Sequence, residues 1–178
     1  TDVVPFVPIA GVTMQECVEM ARRLGKRVAD TLDIPVYFYE DAAIRQRLTA
    51  LWSNGISFRS AEAKAAWMYL VGRGLKIPRN LQSVRFHPSM AFYEKGQLVG
   101  HFPGMMACVS APDGTPVTIH RTFLTEDGHK APVESPKKLC PHASNRPLQG
   151  AAIRLFPATD TLAVAEGIET ALAVTEMT

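Results

Sequence analysis

Apolar residues along the chain recur at intervals of three and four in some stretches and run together or alternate in others, so both helices and strands are expected. Val3 to Ile9 is an apolar, β-branched run broken by Pro5 and Pro8, which places it at a sheet edge or in an irregular strand. Gly11 turns the chain, and Thr13-Met14-Gln15-Glu16 has the spacing of a capping box, in which each side chain satisfies an orphan N–H of the first turn. Cys17, Ala21, Leu24 and Val28 then predict an amphipathic helix to about Leu32. Asp33 and Pro35 end it, and Val36 to Tyr39 reads as a strand. The first forty or so residues thus predict a βαβ unit, too small to bury a core alone.

The pattern changes from Ile44. Ile44, Leu48, Leu51 and Trp52 predict a second helix that stops near Ser53-Asn54-Gly55. Ser60 is placed to cap a third over Ala61 to Val71, with Ala63, Ala66, Trp67 and Leu70 facing the core and Gly72 and Gly74 ending it. Trp52 and Phe58 are also expected in the core. Pro78 to Tyr93 is mixed, with a short strand at Val84 to Phe86. Met105 to Ser110 and Val117 to Leu124 are β runs joined by the turn Ala111-Pro112-Asp113-Gly114, an antiparallel hairpin. Residues 131–150 read as a long loop, Ala151 to Phe156 and Leu162 to Ala165 as strands, and Ile168 onward as a helix. No internal repeat is present. The expected fold class is α/β or α+β, in which the N-terminal βαβ fragment is followed by a mixed α/β domain.

Composition narrows the class. The 178 residues are 47% apolar and 20% charged, a globular balance, with no apolar run long enough to span a bilayer and no signal-peptide pattern. Cys17, Cys108 and Cys140 are too scattered for a disulfide framework, which fits a cytoplasmic protein. The net charge of +2 hides an asymmetry. Residues 1–43 carry four basic and seven acidic side chains, a balance of −3, and residues 44–178 carry fifteen and ten, a balance of +5. The chain opens at Thr1 without a methionine and closes inside a helical pattern, so both ends read as cut.

The sharpest local signal is Leu162-Ala163-Val164-Ala165-Glu166-Gly167-Ile168-Glu169, an expected buried strand with Glu166 at its carboxyl end and Gly167 turning into a helix. Ligands of open α/β sheets bind outside the carboxyl ends of strands, where a carboxylate holds a metal ion or moves a proton. The alternative is that Glu166 and Glu169 are solvated first-turn carboxylates favoured by the helix dipole. Val117, Ile119, Arg121 and Phe123 share one strand face, so Arg121 sits at a bulge, snorkels to the rim or meets an anion. With Lys130, Lys137, Lys138, Arg146 and Arg154 it makes a positive stretch: an ordinary solvated surface or a phosphate-binding one. His129, Cys140 and His142 lack the second close pair that a structural zinc needs, and His87 and His120 read as hydrogen-bonded structural residues.

Ala165-Glu166-Gly167-Ile168-Glu169-Thr170-Ala171 resembles the first motif of Toprim domains, the metal-dependent module of bacterial-type primases and topoisomerases. Tyr69-Leu70, Arg73-Gly74-Leu75, Arg85-Phe86-His87-Pro88, Pro103-Gly104-Met105-Met106, Ile119-His120-Arg121-Thr122-Phe123-Leu124, Lys130-Ala131 and Ala151-Ala152-Ile153-Arg154-Leu155 resemble the domain preceding Toprim in phage and plasmid primase-helicases. The resemblance implies a pre-Toprim domain over 44–158 and the first strand-helix unit of Toprim over 159–178. It further implies nucleotidyl transfer with Mg²⁺ or Mn²⁺, Glu166 as catalytic and metal-linked carboxylate, and Glu169 as a second ligand of an incomplete site. Its later Asp-x-Asp pair is outside this sequence. Arg121, Lys130 and Arg154 would bind single-stranded DNA or nucleotides, with a helicase domain or subunit as partner.

Asp2-Val3-Val4-Pro5-Phe6-Val7-Pro8-Ile9, Gly11-Val12-Thr13, Glu16-Cys17 and Asp33-Ile34-Pro35-Val36-Tyr37-Phe38-Tyr39 are similar to part of glutamate formiminotransferase, a folate-dependent one-carbon enzyme, over residues 1–43. That family's catalytic histidine lies ahead of the matched segment. The two resemblances together imply a fusion with a junction near Ala43. Strands from two parents, each lacking neighbours, imply self-association.

Overall fold

The computed structural model describes residues 4–38, 40–78, 81–142, 148–157, 160 and 162–176. Helix α1 (Met14–Leu32) begins with the predicted capping box: Thr13 N donates to Glu16 Oε2 at 2.8 Å and Glu16 N donates to Thr13 Oγ1 at 3.2 Å. That hydrogen bond from the Thr13 backbone, followed by the one from its hydroxyl, holds the Glu16 carboxyl below its ordinary value. Thr13→Ala removes an acceptor that one orphan N–H needs, and a loss of about 1 kcal/mol in urea unfolding is expected.

No strand flanks α1 among the described residues. The βαβ expectation is therefore corrected: 4–12 and 33–38 carry neither strand nor helix. A strand needs a neighbour for its N–H and C=O groups, and Pro5, Pro8 and Pro35 remove donors from both segments. Val3 and Tyr39, the ends of the expected strands, lie outside the described residues. Helix α2 (Glu40–Ser53) runs unbroken through Ala43, where the sequence places a junction, with Ala42 and Ala43 buried. Arg22 of α1 reaches the Ala42 carbonyl at 3.4 Å.

A 3₁₀ turn (Ala61–Ala63), capped by Ser60, leads into α3 (Lys64–Val71). Ala65, Ala66, Tyr69 and Leu70 face inward, but Trp67 does not: it is 44% exposed and donates through Nε1 to the Phe58 carbonyl at 2.6 Å. Phe58 is core, as expected, and Trp52 is partly buried under the Arg85 guanidinium.

The centre is one antiparallel sheet in the order β1 (Val84–Glu94), β2 (Gln97–Ser110), β3 (Pro116–Phe123), β4 (Lys137–Leu139). The β1–β2 turn is Lys95-Gly96, both at positive φ (49° and 80°), as a two-residue hairpin requires. A bulge between His87 and Met90 absorbs Pro88 and reverses the facing of β1. Phe86 therefore joins Met105, Leu70, Leu124 and Leu172 on one side, while Met90 and Phe92 join Met106 and Phe123 on the other. Helices cover both sides, α3 and α4 (Ile168–Thr175) on the first and α2 on the second. The fold is mixed α/β.

The carboxyl-terminal strands are also corrected. Residues 151–156 contribute only a bridge between Ser110 and Ala152. Residues 162–165 form no strand: Leu162 is 73% and Val164 87% exposed. A buried parallel strand needs partners on both edges, and β1 and β4 end a sheet that is antiparallel throughout. The loop expected at 131–150 supplies β4. No helix among the described residues is long and apolar enough to cross a membrane.

Candidate functional site

Two places gather polar side chains. The first is the junction of α3, β3, β4 and α4. β4 pairs Lys137 with Thr122 and Lys138 with Arg121, so alternation sends Lys137, Thr122 and His120 to the α4 side and Arg121 and Lys138 to the other. Glu169, in the first turn of α4, accepts from Tyr69 Oη at 2.6 Å and pairs with Lys137 Nζ at 2.9 Å. Burial pushes the Glu169 carboxyl up, but the bonds from Tyr69 and Lys137 outweigh it and hold it at about 2. Burial first, then the Glu169 carboxylate, raises the Tyr69 hydroxyl above its ordinary value. Burial, aided by the Lys137 charge, lowers His120. Through Glu169 this cluster ties α4 to Tyr69 of α3 and to Lys137 of β4.

The expected site residues are dispersed around this clamp. Glu166 is exposed in the bend before α4. Its neighbour Glu169 is paired with Lys137. Among the described residues no three His, Cys, Asp or Glu side chains converge as a metal site. Arg121 lies over the Phe123 ring at 5.3 Å, and Lys138 over Phe92 at 4.0 Å while donating to the Tyr93 carbonyl. Lys130 is exposed beside the bridge to Leu124. Arg154 donates to the Ser110 carbonyl and hydroxyl, six positions along β2 from Gly104, which pairs with Phe123. At roughly 3.4 Å per residue this puts the Arg154 anchor about 20 Å from the strand end near Lys130. The three cations form no single patch. Arg146 and the boundary at residue 158 lie outside the described residues.

The second place is a cleft of about 490 Å³ between α1 and α2. Arg22 and Lys26 rim it, Gly25, Ala29, Val36 and Phe38 floor it, and Gln46 and Thr49 of α2 close it. Gly25 is what lets the floor approach: a Cβ there would lie 2.9 Å from Phe38 Cζ and 3.1 Å from Val36 Cγ1. Sequence reasoning missed this cleft because it followed only the apolar positions Cys17, Ala21, Leu24 and Val28 of α1. The spacing of four between Arg22 and Lys26 was the available signal.

Comparison with known proteins finds two families, which overlap along the chain. Residues 42–155, well over half of it, match the family described as a domain of unknown function, DUF7146. The chain belongs to the DUF7146 family. Residues 1–79, overlapping the DUF7146 part, match the N-terminal subdomain of the formiminotransferase domain. Similar proteins include formimidoyltransferase-cyclodeaminase of Sus scrofa, 53% identical over 53 residues, which are 28% of this chain and 10% of that protein. Glutamate formimidoyltransferase of Streptococcus pyogenes serotype M1 is 51% identical over 45 residues, 25% of this chain and 15% of that protein. The enzyme of the same name from Thermoplasma acidophilum is 57% identical over 44 residues, 25% of this chain and 14% of that protein. The chain thus spans about a seventh or less of these relatives. No solved structure matches it. These findings overturn the primase resemblance: they point to formiminotransferase, and not to Toprim, DNA primase or DNA replication.

Proposed function

We propose that the chain is a ligand-binding module whose α1–α2 cleft takes a glutamate-bearing small molecule, in keeping with the formimidoyltransferases that its N-terminal part is similar to. One observation carries this reading: the cleft, rimmed by two cations over an apolar floor, lies wholly within the stretch matched by the formiminotransferase subdomain. A glutamate carries two carboxylates. The Arg22 guanidinium suits one as a bidentate donor, and Lys26 suits the other as a point charge. Their present partners are weak. Arg22 makes a 3.4 Å bond to Ala42, and the Lys26–Asp30 pair is exposed and worth a few tenths of a kcal/mol. Among the described residues no His, Cys, Asp or Glu lines the cleft.

Calorimetric titration of the whole chain with N-formimidoyl-glutamate is expected to show saturable binding that weakens about tenfold or more in Arg22→Ala. Mixing the complex with tetrahydrofolate is expected to yield no transfer. Absence of binding, or equal affinity in the variant, overturns the reading.

A further inference from the structure

We propose that Gln46 and Thr49 of α2 are the specificity-determining residues of the cleft, selecting a glutamate whose nitrogen carries a substituent rich in N–H donors, of the formimidoyl type. This role rests on the cleft taking a glutamate and adds what its second wall does. On α1, Arg22 and Lys26 stand four residues apart, so their Cβ atoms are about 5–6 Å apart on one helix face. The carbon chain between the two carboxylates of a glutamate spans that interval, and its methylenes meet the apolar Val36 and Phe38 of the floor. With both carboxylates held on α1, the nitrogen substituent is left to the other side of the cleft, and α2 supplies that side.

Helix α2 is two-faced. Leu48, Leu51 and Trp52 pack against the side of the sheet that holds Phe92 and Phe123, whereas Gln46, Thr49 and Ala50 line the cleft. At roughly 3.6 residues per turn these two sets fall on opposite sides of one helix, so the cleft wall is backed by a core. Gln46 and Thr49, three positions apart, are neighbours on that wall, and both are exposed. The Gln46 Oε1 carbonyl and the Thr49 hydroxyl oxygen each accept from an N–H group. A formimidoyl group is strongly basic, holds a proton near neutral pH and then offers N–H donors alone, the complement of two acceptors, with its charge strengthening each bond. Both residues lie within 42–79, where the DUF7146 and formiminotransferase matches overlap, while Arg22 and Lys26 lie in the part matched by the formiminotransferase subdomain alone. One stretch holds the carboxylates and the shared stretch reads the nitrogen.

Calorimetric titration with two ligands separates the walls. Glutarate has both carboxylates and no nitrogen, and N-formimidoyl-glutamate has the same carboxylates with the substituent added. Gln46→Leu and Thr49→Val are each expected to weaken N-formimidoyl-glutamate about fivefold and to leave glutarate unchanged, which also reports that the cleft is intact. Arg22→Ala should weaken both ligands. If neither ligand binds the unsubstituted chain, the glutamate-binding reading falls and the role of Gln46 and Thr49 falls with it. If glutarate alone binds, or if the α2 variants weaken both ligands alike or neither, the role of Gln46 and Thr49 is overturned while the carboxylate-binding wall stands.

Discussion

Gly104→Ala is expected to lower unfolding stability by about 3 kcal/mol or more, a large share of the roughly 5–15 kcal/mol that holds a domain folded. A Cβ at this position would run into the backbone oxygen of Thr122 on β3 and lie 2.7 Å from Met90 Cε on β1. The methionine end can swing aside. The Thr122 carbonyl belongs to the strand that Gly104 pairs with, so relief requires parting the two middle strands, β2 and β3, at the last pair of their ladder. Gly100 provides the control, because it lies on the same strand and its Cβ would first meet Phe102 at an ordinary 3.5 Å. Gly100→Ala should stay within about 1 kcal/mol of the unsubstituted chain. Urea unfolding of the two variants side by side checks this, and equal losses would mean that steric exclusion at Gly104 is not the cause.

The second large effect is expected at Glu169. Its side chain is 14% exposed and anchors α4 through Tyr69 and Lys137. The folded carboxyl titrates at about 2, below its ordinary 4.5, so the unfolded chain binds the proton more readily. The contribution is therefore complete above about pH 4.5 and is lost as pH falls toward 2. The shift corresponds to about 3 kcal/mol, reduced toward ~2 kcal/mol because the Lys137 side chain is 35% exposed and partly screened. Glu169→Gln should thus be less stable than the unsubstituted chain by that amount at pH 7, with the gap closing through the acid range. Tyr69→Phe, which keeps the ring but deletes the bond to Glu169, should move the acid transition to higher pH. Urea midpoints from pH 7 to pH 2 measure both. A gap that does not depend on pH would refute the ionised clamp.

Local chemistry was legible wherever neighbours in sequence suffice. The Thr13–Glu16 capping box, the Ser60 cap, the helical spacing of Leu48, Leu51 and Trp52, and the turn at Pro112-Asp113-Gly114 depend on residues within one or two turns of chain, and all four formed. The β1–β2 hairpin was under-read because Lys95-Gly96 is a less usual pair for a turn with two positive φ angles, and because Pro88 looked like a break rather than a bulge. Glu169 is joined to residues far from it in the chain. Its partners Tyr69 and Lys137 lie 100 and 32 positions away, and no spacing rule connects them.

Taken alone, then, the sequence determined where helices start, which faces are apolar, and that an acidic stretch precedes a basic one. Tertiary structure decided which extended segments became strands. Val36 to Phe38 carries strand-forming residues no worse than those of β3, yet of the two only β3 has a strand on each side. Backbone N–H and C=O groups repay the entropy of ordering only when partners stand opposite them, and partners are a property of the assembled fold.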